Sequence, residues 1–464
     1  MRAFAGVVLA VFLAASAAGC ATTASDRAPD TSMPAGWRNA QAQDAAWPSA
    51  EWWRGFGSAE LVDLVRLAEQ NNHDLAAAAF RVAQARANLQ VSRANLFPTV
   101  DATADLGRSQ SGGRGTPVRE SNQVGLGVSY ELDVWGRVRA TRDAAAAALT
   151  ATAYARETTR ITIVADTATA YFQLLSLDDR IAVARRQLEA TRGLLRLLEI
   201  QYGAGAISRL EVERQRNLVA VQEASIPPLV QQREQTLDLL AVLLGLAPQD
   251  LKVNAGSLAV LKLPAIAPGL PSELLVRRPD IRRAEFDLVA ASANLQAARA
   301  ALLPRFDLSA RAGLEAATIG ALTGPGALFW SLAAGITAPI FDAGRLAGQR
   351  DAVEARRGEL IEEYRQTILL SLRDVEDALA ALTQLAIQQE AQERALQHAR
   401  DAYRLVELRW RAGAEDFTTV LDAQRTLISA EASLDPIRAA RFNAAVALFK
   451  ALGGDWNAAA PVAR

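Results

Sequence analysis

Apolar and polar positions alternate strictly in four short stretches of the chain. Val100, Ala102, Ala104 and Leu106 alternate with Thr99, Asp101, Thr103 and Asp105. Val124, Leu126, Val128, Tyr130 and Leu132 alternate with Gln123, Gly125, Gly127, Ser129 and Glu131. Phe306, Leu308, Ala310, Ala312 and Leu314 alternate with Arg305, Asp307, Ser309, Arg311, Gly313 and Glu315, and Trp330, Leu332, Ala334, Ile336 and Ile340 mark one face of a fourth stretch. A period of two places one set on each face of a strand. The pattern predicts strands at about 99–110, 121–132, 305–317 and 328–340. The segments between the members of each pair, 111–121 and 318–327, are rich in Gly, Ser, Thr and Pro, as hairpin loops are.

Elsewhere the spacing is helical. Leu174, Leu177, Ile181, Ala184, Leu188, Leu195, Leu198 and Tyr202 recur at three and four residues, as do Ile368, Leu372, Val375, Leu379, Leu382 and Ala386. Such spacing makes a left-handed coiled-coil seam. Neither stretch, Gly136 to Tyr202 nor Gly344 to Trp410, contains proline. At ~1.5 Å per residue each predicts a helix on the order of 100 Å long, which points to a coiled coil. Short turns at 203–208 and 411–417 force each long helix to pair with an antiparallel returning helix. The returning helices are expected to break near Pro228 and Pro436, because proline removes a helical hydrogen bond.

The two halves repeat one another. Ala87-Asn88-Leu89-Gln90 recurs as Ala293-Asn294-Leu295-Gln296, and Leu96-Phe97-Pro98 matches Leu302-Leu303-Pro304. Gly136-Arg137 matches Gly344-Arg345. Tyr202, Ala204, Gly205 and Ala206 match Trp410, Ala412, Gly413 and Ala414. Pro228 matches Pro436, and Gly245 matches Gly453. The period is far too long for a solenoid, so the chain is a duplicated domain. The expected organisation is a leader at 1–19, an N-terminal segment at 20–58, a first repeat at 59–245, a linker at 246–271, a second repeat at 272–453 and a tail at 454–464. Each repeat is a helix, a β-hairpin and a long helical pair.

Composition narrows the chemistry. Half of the chain is hydrophobic and its formal net charge is −1, without the basic excess of a nucleic-acid binder. One cysteine and two histidines, Cys20, His73 and His398, allow no internal disulfide and no His/Cys metal cluster. No cofactor motif and no catalytic constellation stands out. Glu211 and Glu213 are two apart on a helix and do not face each other, so they read as solvated-face residues. Gly112-Gly113-Arg114-Gly115 lacks the Lys-Ser/Thr of a phosphate loop and reads as a surface loop. An enzyme is not expected.

The N-terminus is a targeting segment. Met1-Arg2 precedes an apolar run from Ala3 to Ala18, then Gly19 and Cys20. A positive start, a short apolar stretch and small closing residues describe a secretory signal. No later stretch is long and apolar enough for a membrane helix, so any crossing must use strands. The alternation alone fits equally a soluble sheet packed on a helix. In lipid, however, four strands cannot close a barrel, and an open edge there leaves backbone groups unbonded. A membrane barrel would therefore be assembled from several chains.

These features resemble the outer membrane factor (TolC-like) family, in particular its efflux lipoprotein branch (NodT/OprM-like). Three stretches carry the resemblance: Asn72, Asp74-Leu75 and Ala83 to Gln90, leading to Leu96-Phe97-Pro98; Tyr130-Glu131-Leu132-Asp133 with Trp135-Gly136-Arg137; and Arg409-Trp410-Arg411-Ala412-Gly413 with Val420-Leu421-Asp422-Ala423-Gln424-Arg425. The ending Ala17-Ala18-Gly19-Cys20 resembles a bacterial lipobox, with Ala17 where leucine is usual, and implies that Cys20 is lipidated. Ala21 after it, in place of an inner-membrane-retaining aspartate, implies the outer membrane.

The resemblance implies an α+β membrane protein and a homotrimer. Twelve strands would form an outer-membrane β-barrel, continued by a periplasmic α-helical coiled-coil tunnel. The implied function is the outer-membrane channel of a tripartite efflux system, passing small molecules from an inner-membrane RND-type pump and a periplasmic adaptor. Asp101, Asp105, Glu131, Arg305, Asp307 and Arg311 would face the barrel lumen. Gly203, Gly205, Arg411 and Gly413 would form the adaptor-docking tips. Asp422 with Arg409 and Trp410 would close the periplasmic gate, with Thr418 where a hydrophobic constriction residue is usual and Phe417 as its substitute. An outer-membrane channel for type I protein secretion shares this fold. A lipid-tethered periplasmic scaffold would leave the four alternating stretches unexplained.

Overall fold

The structure, a computed structural model, describes residues 33–39, 51–110, 117–254, 256–266 and 268–454. The leader, Cys20, the glycine-rich loop 112–115 and the tail beyond Gly454 lie outside the described residues. In chain order the main elements are α1 (Ala59–Asn71), α2 (His73–Ala94), β1 (Thr99–Ser109), β2 (Arg119–Leu132), α3 (Arg137–Gly203) and α4 (Arg209–Leu243). Short turns and the single helical turn Leu274–Arg277 follow. Then come α5 (Pro279–Ala300), β3 (Arg305–Ala316), β4 (Leu328–Thr337), α6 (Arg345–Arg411) and α7 (Phe417–Ala451). The duplication reaches the backbone: α3 and α6 each have 67 residues, and α4 and α7 each have 35.

The chain divides into two compact units, and the boundaries fall inside α2, α3, α5 and α6. The first comprises Arg81–Ala153 and Arg283–Gln366 and holds the sheet. Its four strands are antiparallel in the order β1-β2-β3-β4. Because β2 pairs with β3, the hairpins of the two repeats form one sheet. Below the sheet, the Trp135 indole N–H donates to the Pro304 carbonyl at 2.7 Å. Asp133 caps α3: its carboxylate accepts the backbone N–H groups of Val138 and Arg139, both at 2.9 Å, and the Arg139 guanidinium at 3.1 Å. Burial alone would raise this carboxyl, but those N–H donors and the Arg139 charge hold it below the ordinary carboxylate range.

The second unit comprises Ser32–Phe80, Tyr154–Arg282 and Thr367–Arg464. Aromatic residues centre its core. Trp52 stacks on Phe449 at 4.6 Å between ring centroids, Phe56 lies 4.8 Å from Phe172, and Phe172 lies 5.1 Å from Phe442. The segment before α1 is thus fastened to α3 and α7 by rings that would otherwise be exposed, each worth about 1.5–3 kcal/mol or more on burial.

Six glycines at matched positions of the two repeats have positive φ: Gly136 and Gly344, Gly205 and Gly413, Gly245 and Gly453. The last four end helices. Ala206 N–H bonds the Gln201 carbonyl and Gly205 N–H the Tyr202 carbonyl, with the same pattern at Ala414 and Gly413. This closes the helix through a left-handed residue that glycine adopts without a Cβ clash. At Gly245 an added Cβ would come within 2.3 Å of the Asn71 carbonyl oxygen, and at Gly453 within 2.7 Å of that of Arg277. Nearby, Asn72 Nδ2 donates to the Leu243 carbonyl and Arg278 Nη1 to the Ala451 carbonyl, both at 2.9 Å. Different residues thus satisfy the matched ends of α4 and α7 in the two repeats.

The expected breaks at the prolines are absent. Pro227 and Pro228 lie inside α4, and Pro436 lies inside α7. A proline in the interior of a helix costs about 3 kcal/mol. At Pro436 the surrounding helix is held by packing, with Leu434, Ile437 and Ala439 buried; at Pro227 and Pro228 no residue within a turn is buried, and α4 runs on through them.

Candidate functional site

The sheet separates its residues by chemistry. Register places Thr99, Ser129, Ser309 and Ala333 across from one another on one face, and Asp101, Gly127, Arg311 and Ser331 in the next row. All six residues expected in a lumen share this face. Two of them carry arginine partners close by: the Arg137 guanidinium holds both carboxylate oxygens of Glu131 at 2.9 and 2.7 Å, and Arg305 lies 2.9 Å from Asp307. The opposite face carries Val100, Ala102, Ala104 and Leu106 of β1, Val124 to Leu132 of β2, Phe306 to Leu314 of β3 and Leu328 to Ile336 of β4, taking every second residue. Much of it is bare: Trp330 is 77% exposed, Leu332 74%, Ile336 66% and Leu126 58%. Apolar surface on this scale calls for an apolar environment.

In the other unit, the tips of the two helical pairs share one compact cluster. Leu194, Leu198, Val212, Leu218, Phe417, Val420 and Leu421 are buried together, with Trp410 packed against them at 6.0 Å from the Phe417 ring. Phe417 begins α7, and Asp416 caps that helix by accepting the Thr419 N–H at 2.9 Å. In the first repeat, Ser208 and Glu211 form a reciprocal capping box, with Ser208 N–H donating to Glu211 at 2.7 Å. Glu211 is therefore a capping residue, not merely a solvated one. Gly203, Gly205, Arg411 and Gly413 are all exposed at these turns, and Arg411 pairs with Glu407 at 2.5 Å.

Two details of the expected gate change. The nearest ion-pair partner of Asp422 is Arg425, at 3.9 Å, while Arg409 turns to Glu415 at 3.5 Å. Phe417 is 3% exposed and belongs to the tip core, because its place as first residue of α7 aims it at Trp410, so within the protomer it is no free seal. Thr418 is engaged as well: Arg214 of α4 donates to its hydroxyl at 2.9 Å. Behind the tip, Gln215, Thr191 and Gln424 are buried polar residues that bond one another, with Gln215 donating to the Thr191 carbonyl at 3.0 Å and Gln424 to its hydroxyl at 3.3 Å. Arg425, three residues after Asp422, was visible in the sequence as a helical i,i+3 partner. Arg214 and the glutamines carried no such signal, because their partners lie on other helices.

Beside Pro436 is a cavity of ~310 Å³ lined by charged residues including Asp179, Arg186, Arg400, Glu431, Asp435 and Arg438. Burial, and then the Asp179 charge, push the Asp435 carboxyl up, against the opposing pull of Arg438, Arg186 and Arg180. Among the described residues no cluster of His, Cys, Asp and Glu could hold a metal ion, and no helix is long and apolar enough to cross a membrane.

Comparison with known proteins agrees over nearly the whole chain. Residues 64–246 and 270–454 each match the family model described as outer membrane efflux protein. The chain is 40% identical over 439 residues to the pyoverdine export outer membrane protein OpmQ of Pseudomonas putida, covering 92% of this chain and 93% of that protein. It is 34% identical over 454 residues to the toluene efflux pump outer membrane protein TtgI of Pseudomonas putida, covering 95% and 96%. Among solved structures, the open state of the MtrE outer membrane channel of Neisseria gonorrhoeae superposes with a TM-score of 0.83 at 31% identity, covering 92% of this chain and 98% of that one.

Proposed function

The chain belongs to the outer membrane efflux protein family, and on that premise we propose that three copies assemble into the outer-membrane channel of a tripartite efflux system. One observation carries the reading: the four-stranded sheet has a continuous, exposed apolar face and an opposite face made mostly of Asp, Glu, Arg, Gln, Ser, Thr and Gly. Only lipid on one side and water on the other suit both faces at once. Strands β1 and β4 are the sheet edges, and in lipid they must be paired, which a closed ring of protomers achieves. Three copies give twelve strands, enough for an open lumen.

The channel is passive. It conducts small molecules handed over by an inner-membrane pump of the RND type through a periplasmic adaptor, and its own residues perform no chemistry on the cargo. The tips at Gly203–Gly205 and Arg411–Gly413 receive the adaptor. Asp422 and Arg425 of three copies, brought near one axis, form the charged part of the periplasmic gate, with Arg409 and Trp410 bracing the turn below it. Like carboxylates on one axis repel unless cations neutralise them, which is the role assigned to Arg425. Cys20 carries the lipid anchor that joins the barrel in holding the chain to the outer membrane.

The test is export. Cells that contain a cognate adaptor and pump but lack an outer-membrane channel should expel a fluorescent pump substrate only when this chain is supplied. Retention of the substrate despite correct membrane insertion would overturn the proposal.

A further inference from the structure

The polar face of the sheet contains one aromatic side chain, Phe329, among the described strand residues. Register places it in a row with Thr103, Gly125 and Gly313, one residue from each strand. The two glycines are not interchangeable with larger residues. A Cβ on Gly313 would come within 2.3 Å of the Val124 carbonyl oxygen and 2.6 Å of the Gly125 Cα, and one on Gly125 within 2.8 Å of the Ala312 carbonyl oxygen. That same Gly313 Cβ would lie 3.1 Å from Phe329 Cε1, so the ring rests against bare backbone. The result is a side-chain-free floor on β2 and β3 with an aromatic wall on β4. The next row, about 7 Å along the strands, holds Gln123, Glu315 and Asp105. Neither Glu315 nor Asp105 has an ion pair among the described residues, unlike Glu131 and Asp307 nearer the helices.

We propose that this row is a subsite for flat, apolar cations: Phe329, braced on the bare backbone of Gly313 beside Gly125, takes the flat face, and Glu315 sets the sign of charge. The proposal rests on the reading that this face lines the lumen, and it adds a chemical preference to an otherwise passive conduit. A ring already lying against backbone needs no rearrangement to receive a second flat ring, and its electron-rich face attracts a cation. The carboxylate of Glu315, on the strand next to Phe329, disfavours anions of the same shape.

The test uses the full-length chain as assembled complexes in planar bilayers. The probes are propidium, a flat impermeant cation, and pyranine, a flat impermeant anion, each added on the side of the strand-connecting loops. Propidium should block the current and pyranine should not. Phe329→Ala should shorten the propidium block about two- to tenfold, the loss expected for one aromatic contact. Phe329→Tyr should retain the block, while Phe329→Leu, which still covers Gly313, should lose it. Glu315→Gln should weaken propidium block and relax the exclusion of pyranine. Equal block by both dyes, or propidium block unchanged in Phe329→Ala and Phe329→Leu, would overturn the subsite and leave the channel standing. Absence of dye-free conductance even with the gate opened by Asp422→Ala and Arg425→Ala would instead overturn the lumen reading itself.

Discussion

Leu332 and Ala333 are neighbours in the middle of β4, yet register assigns them to opposite faces, Leu332 across from Ala310 and Ala333 across from Ser309. Arginine placed at each in turn separates a membrane sheet from a soluble one. If the apolar face meets lipid, Leu332→Arg puts a guanidinium near the bilayer midplane, which costs about 2–4 kcal/mol per chain. Three chains triple that to roughly 6–12 kcal/mol per complex. Ala333→Arg points into water and should change stability by about 0.5 kcal/mol or less. On a soluble sheet the order would vanish, because Leu332 is already 74% exposed and an exposed leucine loses little on replacement. Equilibrium unfolding from lipid vesicles, followed by tryptophan fluorescence, reads the difference, since about 1.4 kcal/mol is a tenfold change in the folding constant. Equal effects of the two substitutions, or a larger effect at Ala333, would refute the assignment of the faces.

Gly245→Ala should destabilise the protein by at least about 2 kcal/mol from its left-handed backbone and the clash with the Asn71 carbonyl, whereas Gly205→Ala, with similar φ but open space, should cost only about 1 kcal/mol, both read by thermal unfolding; equal losses would refute the packing argument. Asp435 has a carboxyl raised by burial, so its favourable contribution is present below its unfolded value of about 3.9 and is lost as pH rises through the raised folded value. Asp435→Asn should therefore raise the melting temperature at neutral pH, with the gain shrinking on acidification, and a destabilised variant at neutral pH would contradict this. Mass spectrometry of the mature protein should find an acylated N-terminal peptide beginning at Cys20, and a free thiol there would remove the lipid anchor. Single-channel recording should show Asp422→Ala with Arg425→Ala raising the resting conductance, and an unchanged closed level would take both residues out of the gate.

The sequence carried the strands because one apolar face imposes a period of two that survives in every stretch. It did not say whether that face met lipid or protein. Nor did it show that the pairing of β2 with β3 merges two separate alternations into one continuous apolar surface, the observation on which the lipid reading is proposed. The long helices were equally legible, being free of proline and regular in spacing. The returning helices were misread at Pro228 and Pro436, because the proline rule counts one lost hydrogen bond and not the packing that, at Pro436, holds the helix together. The Ser208-x-x-Glu211 capping box was present in the sequence, but its glutamate was read by its distance from Glu213. Repeat matching by residue type also had a limit: Asn72 and Arg278 do the same work for the ends of α4 and α7 while sharing no chemistry beyond a donated hydrogen bond. The gate suffered most. Asp422 and Arg409 lie on opposite arms of one hairpin, yet each finds a nearer partner on its own side of the turn or within it.

Four strands per protomer cannot close in lipid, so the proposed channel exists only as a ring of chains, and three give the twelve strands of an open lumen. Native mass spectrometry of the complex extracted from outer membranes in mild detergent tests it directly. A single dominant species of three protomers is expected, which conducts when placed in a planar bilayer. A stable single protomer that conducts would contradict it.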